Sequence, residues 1–131
     1  MTRAYAWFAG VFLLLQGAST LAFRLIPALD QVFPALLHHT QMVPAHSLLH
    51  IVTALIAFAA LRWGDRRGVF RFAFWFGLFY IALAIAGMVT GQAFGLGLQP
   101  FDHPFHALLG AMGVAAAGFD YRHTRARPTN R

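Results

Sequence analysis

Two short motifs place pairs of histidines at the start of long apolar stretches. PAHSLLH contains His46 and His50, and DHPFH contains His103 and His106. Neutral imidazole is the commonest side-chain ligand for transition metals, and helical proteins build metal and cofactor sites from inward-facing histidines. We therefore predict His50 and His106 as cofactor ligands, and His46, His50, His103 and His106 as metal ligands. The bound group would be haem or a divalent metal.

A structural role for these histidines is the alternative, with the rings hydrogen-bonded to Gln16, Ser47, Thr53, the backbone or water. An ionisable group inside an apolar membrane segment is by default a functional hypothesis. Ligation requires neutral imidazole, so binding should weaken as the pH falls below about 6.5. A looser set in the first connection, His38, His39 and Met42 together with His46, would favour copper.

The acidic residues argue against catalysis without excluding it. The chain has no glutamate, and no aspartate lies inside an apolar stretch. Hydrolytic zinc chemistry needs an open metal position and a general base. Asp102 is the only carboxylate close to a histidine pair, and it could equally cap a helix. With no cysteine, thiolate chemistry is excluded. The sequence leaves enzymatic activity open and favours a non-enzymatic protein.

The elements that must position the histidines are four apolar runs, at about 5–23, 45–61, 69–90 and 103–119. The 131-residue chain is 59% hydrophobic and only 11% charged, whereas soluble domains are roughly 25% charged. Each run is close to the roughly 20 residues that cross a bilayer as a helix. We predict an all-α, four-helix transmembrane bundle in residues 1–121. The first outer connection, 25–44, should hold a short interfacial helix, and 91–101 an irregular loop.

The arginines predict the orientation of this bundle. All ten basic residues are arginine, and nine lie before the first run, around the turn between the second and third runs, or in the basic tail 122–131. Basic connections mark the cytoplasmic side, so both termini and the tail should be cytoplasmic. The four histidines should lie at the outer boundary of the membrane. Orientation explains the net charge of +6, so no nucleic-acid partner is expected. The expected partner is the lipid bilayer, with a protein partner or a homo-oligomer left open.

An internal repeat relates the two halves of the chain. Aligning His50 with His106 places Ala57 on Gly113 within a run of small residues, and AWFAGVF matches FWFGLFY with Trp7 on Trp75. This pattern favours two tandem helical hairpins related by a pseudo-two-fold axis along the membrane normal. Such an axis would bring His50 and His106 towards each other near the outer end of the bundle.

The segments GVFLLLQGASTLAF, HSLLHIVTALIAFAA and FDHPFHALLGAMGVAAAG resemble a bacterial family of small four-helix membrane proteins of unknown function. Each hairpin of that family carries an N/H/D-x-x-x-H motif followed by small residues. The resemblance covers roughly residues 5–120. It implies the tandem-hairpin topology and a place in the bacterial cytoplasmic membrane. It also implies that His50 and His106 correspond to the histidines of the family motif.

The function predicted from these patterns is that of a small integral membrane protein acting as an accessory or scaffold protein, or as a subunit of a membrane assembly. The alternative is a metal- or haem-binding membrane protein that uses the outer histidines of the second and fourth spans.

Overall fold

The computed structural model describes residues 1–32, 43–91 and 93–125, and within these residues the chain is all-α without β-strands. Its helices are α1 (Thr2–Leu25), the short α2 (Pro27–Val32), α3 (Pro44–Trp63), α4 (Arg66–Thr90) and α5 (Asp102–Arg125). One 3₁₀ turn, Ala93–Gly95, lies between α4 and α5. The all-α prediction is confirmed. α2 lies within the predicted first connection, α5 extends into the predicted tail, and 126–131 lie outside the described residues.

The boundaries of the long helices follow local signals in the sequence. Pro44 occupies the first turn of α3, where a missing backbone N–H costs nothing. The Asp65 side chain caps α4 by accepting a hydrogen bond from the Gly68 N–H at 2.7 Å. α4 ends at Gly91, whose φ of 68° lies in the left-handed region that glycine adopts most easily.

The surface of the helices is apolar over much of its area. Within the described part of the chain, α1, α3 and α4 are each long and apolar enough to cross a membrane. Large apolar side chains such as Trp7, Leu55, Trp75 and Val89 are at least half exposed, which suits contact with lipid. α5 is not among the three, because it opens with Asp-His-Pro and continues mainly with small residues. A fourth span at 103–119 stays a prediction.

Contacts at the helix ends show that successive long helices alternate in direction. The Arg3 guanidinium donates to the Leu61 carbonyl at 3.3 Å, and the Thr2 hydroxyl donates to Asp120 at 2.7 Å. The start of α1 therefore lies beside the ends of α3 and α5, and the short turn after Trp63 starts α4 there too. We call this the arginine end, with Arg3, Arg62, Arg66, Arg67, Arg71 and Arg122. The opposite end, where α3 and α5 begin, is the histidine end.

Packing is closest within two pairs of helices, α1 with α3 and α4 with α5. In the second pair a Cβ on Gly110 would lie only 2.6 Å from the Gly77 carbonyl oxygen, so the backbones cross at a distance that only glycine permits. The pairs meet in a shared core that includes Leu13 and Phe76. Across that core the Tyr5 hydroxyl donates to the Leu109 carbonyl at 2.9 Å, which ties α1 to α5.

Candidate metal centre

Three histidine rings converge inside the histidine end of the molecule. His46 and His50 come from α3 and His106 from α5, and each has no exposed surface. The ring centroids lie 4.6 Å apart for His46 and His50, 5.4 Å for His46 and His106, and 5.8 Å for His50 and His106. One nitrogen from each ring belongs to a group whose members all lie within 4.8 Å of one another. We call these three residues the histidine cluster.

The helices bring the cluster together through spacing and small residues. His46 and His50 are four residues apart and share one face of α3. On α1, a Cβ at Gly17 would lie 2.6 Å from the Ser47 carbonyl and 3.0 Å from the His50 Cβ, so glycine lets the two backbones approach at this turn. On α5, the glycine crossing at Gly110 lies one turn after His106. Both tight contacts therefore adjoin the turns that carry the cluster.

The hydrogen bonding of the ring nitrogens bears on the predicted structural role. Among the residues that the structure describes, neither nitrogen of His46, His50 or His106 makes a hydrogen bond. The Thr53 hydroxyl donates instead to the Leu49 carbonyl at 2.8 Å, and the Ser47 hydroxyl pairs with Thr20 at 2.9 Å. Each unpaired buried polar group costs roughly 1–3 kcal/mol. The predicted side-chain hydrogen bonds to the cluster are therefore not formed, and a structural role through water stays a prediction.

One carboxylate lies beside the cluster. Asp102, at the first position of α5, is 4% exposed, and its Oδ2 lies 4.0 Å from His46 Nδ1. The same oxygen accepts a hydrogen bond from the Gln99 backbone N–H at 2.7 Å. This distance to His46 is longer than a hydrogen bond of about 2.9 Å, but it places a negative charge at the edge of the three rings.

His103, the fourth predicted ligand, lies outside the cluster. Its ring packs against α4 at Gly87, where an added Cβ would come within 2.5 Å of the His103 Nδ1. That nitrogen also has no hydrogen-bond partner among the described residues. The structure thus brings together three of the four predicted metal ligands, including both predicted cofactor ligands. The looser copper set involves His38, His39 and Met42, which lie outside the described residues.

Tyr80 is a neighbour of the cluster that the sequence patterns did not single out. It is fully buried on α4, with its ring centroid 5.1 Å from that of His106 and 6.3 Å from that of His50. Its hydroxyl lies 3.4 Å from the Thr53 Oγ1. The available signal was a phenol inside a span otherwise rich in phenylalanine, since a buried tyrosine hydroxyl usually finds a polar neighbour.

Comparison of the chain with protein-family models, with curated proteins and with solved structures found no match. What the chain does is therefore inferred from its own chemistry. Three imidazoles without thiolate ligands form a donor set that suits divalent zinc, copper, iron or nickel.

Proposed function

We propose that this protein is a non-enzymatic metal-binding membrane protein that holds one divalent transition ion through His46, His50 and His106. The observation that carries the proposal is the set of ring nitrogens in the cluster, all buried and all without a hydrogen-bond partner among the described residues. A bound ion would convert three unpaired acceptors into ligands. The proposal thereby accounts for a cluster that otherwise only reduces the stability of the folded chain.

The spacing of the rings supports a single ion. A tetrahedral metal with imidazole bonds of about 2.0–2.1 Å holds its ring centroids about 5 Å apart. The observed centroid distances are 4.6, 5.4 and 5.8 Å. The nitrogens, at up to 4.8 Å apart, would close to about 3.3 Å around such an ion. The three rings would therefore move towards one another when the ion binds.

The same spacing favours an ion over haem. A haem iron between His50 and His106 would need a slot for the porphyrin between their rings. The His46 ring occupies that region, since its centroid lies within 5.4 Å of both others. Full burial of the three rings also favours holding an ion over turning over a substrate, and this fits an accessory subunit or scaffold protein.

The site belongs, in this proposal, to the outer side of the bacterial cytoplasmic membrane. Arginines gather at one end of the helices, and basic residues favour the cytoplasm, so the histidine end would face outward and both termini inward. Trp7 and Trp75, which correspond in the internal repeat, are both exposed, at 54% and 65%. This supports a four-helix bundle of two tandem hairpins about a pseudo-two-fold axis, with α5 as the fourth span.

Metal binding by purified protein in detergent tests the proposal. We expect one Zn²⁺ per chain by elemental analysis, and a Co²⁺ spectrum of a low-symmetry tetrahedral site. The double variant His50→Ala, His106→Ala should lower Zn²⁺ affinity at least about 100-fold, because one imidazole cannot hold the ion alone. The matched control is His123→Ala, which removes an exposed histidine at the arginine end and should leave affinity unchanged.

Two outcomes would contradict the proposal. Equal metal content in wild type and the double variant would place any bound metal elsewhere. A wild-type protein that takes up no Zn²⁺, Co²⁺ or other divalent transition ion would leave the accessory or scaffold function without a metal.

A further inference from the structure

Asp102 corresponds to His46 in the internal repeat. The alignment that pairs His50 with His106 also pairs His46 with Asp102, because each lies four residues before its partner. In the structure the two later residues have ring centroids 5.8 Å apart. The two earlier residues also face each other, with His46 Nδ1 4.0 Å from Asp102 Oδ2. The cluster is thus completed by a carboxylate at the position equivalent to an imidazole.

The loop before α5 fixes the position of this carboxylate. The Gln99 backbone N–H donates to Asp102 Oδ2 at 2.7 Å, and the Asp102 N–H donates to the Gln99 carbonyl at 2.9 Å. The Gln99 side chain donates to the Gly97 carbonyl at 3.2 Å. Leu98, between them, is buried against Leu83. These hydrogen bonds and the burial of Leu98 therefore keep the Asp102 carboxylate beside His46.

The negative charge of Asp102 would offset part of the positive charge of a bound ion. A divalent ion on three neutral imidazoles would bring two uncompensated positive charges into a buried site, which is costly in a medium of low dielectric constant. Asp65, Asp102 and Asp120 are the acidic side chains that the structure describes, and Asp102 is the buried one of the three. It supplies a negative charge next to the ion without belonging to the close group of three ring nitrogens.

We propose that Asp102 is the positioning residue of the metal site: its carboxylate accepts a hydrogen bond from His46 Nδ1–H and so presents His46 Nε2 to the ion. Metal-bound histidines commonly donate their second ring N–H to a carboxylate in this way. The 4.0 Å separation closes to a hydrogen bond with a ring movement of about 1 Å, on the scale that ligation itself requires. This inference rests on the proposed function.

The test measures Zn²⁺ affinity by chelator competition in detergent for the full chain. Asp102→Asn should weaken Zn²⁺ binding about 10–100-fold. X-ray absorption should show the same three-imidazole shell as in wild type, since no ligand is lost. In a His46→Ala background, Asp102→Asn should have a clearly smaller effect, because the part of its effect that acts through His46 is already lost. The control Asp120→Asn, which neutralises an aspartate at the arginine end, should leave affinity unchanged.

Three results would overturn the inference. They are unchanged affinity in Asp102→Asn, loss of an oxygen from the metal shell, or an undiminished effect in the His46→Ala background. If Asp102→Asn does not fold, ¹⁵N NMR of wild-type protein decides, because Nδ1 of His46 should carry the proton and Nε2 the metal. The reverse assignment would refute the inference. A wild type that binds no Zn²⁺ would instead refute the proposed function itself.

Discussion

Asp120 at the arginine end and the histidine cluster at the opposite end differ in their hydrogen bonding. At the arginine end, Asp120 accepts hydrogen bonds from the N-terminal ammonium at 2.9 Å, the Thr2 N–H at 3.0 Å and the Thr2 hydroxyl at 2.7 Å. At the histidine end, the ring nitrogens of the cluster have no partner among the described residues. Buried polar groups that form hydrogen bonds stabilise the contact between helices. Buried polar groups without a partner lower the stability of the folded chain unless a ligand binds them. Substitutions between the two ends and at each end test this contrast.

The largest effect is expected where α5 packs against α1 and α4, between the two ends. A Cβ on Gly113 would lie 2.7 Å from the Ala73 carbonyl and 2.8 Å from the Tyr5 hydroxyl. Gly113→Leu should therefore lower the free energy of unfolding by about 3 kcal/mol. Gly118→Leu is the matched control on the same helix, since nothing lies within 4 Å of its Cβ position. Thermal unfolding in detergent measures both, and equal stabilities would show that the helices do not cross at Gly113.

An intermediate effect is expected at the arginine end. Asp120→Ala removes the acceptor of the Thr2 hydrogen bonds and should cost about 2 kcal/mol of stability. Thr2→Val should cost less, because the backbone N–H remains. The two losses should not add in the double variant, since both remove the same contact. Additive losses in unfolding experiments would mean that Asp120 stabilises the fold through other groups.

The pH dependence of this contact has a defined sign. Asp120 lies just beyond the predicted fourth span. Burial tends to raise its pKa, but hydrogen bonds from the N-terminal ammonium and Thr2 outweigh this and lower the pKa to about 2. The contribution of the carboxylate is then full above its unfolded pKa of about 4 and is lost as the pH falls through about 2. The stability difference between wild type and Asp120→Ala should shrink over that range, and a constant difference would refute the assignment.

The smallest effect is expected at the histidine end and has the opposite sign. In protein stripped of metal, His50→Leu removes two nitrogens that have no hydrogen-bond partner among the described residues, at similar side-chain volume. It should raise stability by about 1 kcal/mol. Added Zn²⁺ should then stabilise wild type but not the variant. His123→Leu, at the exposed arginine end, is the control and should change little. A loss of stability in metal-free His50→Leu would show that the imidazole already has a partner.

Sequence alone predicted the helices because their signals are local. Pro44, Asp65 and Gly91 mark helix ends wherever the helices pack. The sequence also predicted that His50 and His106 approach each other. That prediction needs only two helices that run in the same direction and equivalent positions in the proposed repeat. The sequence did not predict which histidines form the cluster, because the rotation of α5 about its own axis decides which of its side chains point inward.

Helix geometry explains why the sequence could not decide which residue of α5, Asp102 or His103, lies beside the cluster. On α5, Asp102 and His103 lie about 40° to one side and about 60° to the other side of His106, at about 100° per residue. Either could have faced the site. The contact of His103 with Gly87 turns Asp102 towards His46, and this is a tertiary contact between residues distant in sequence.

The pairing of His46 with Asp102 also bears on why two hairpins would be joined in one chain. A dimer of identical hairpins presents the same residue twice at every symmetry-related position, so the earlier positions would carry two imidazoles or two carboxylates. Duplication followed by fusion removes that restriction, and each copy can then change independently. One imidazole facing one carboxylate is a combination that a symmetric homodimer cannot offer, and on the proposed repeat it is a difference that the two halves of the chain acquired independently.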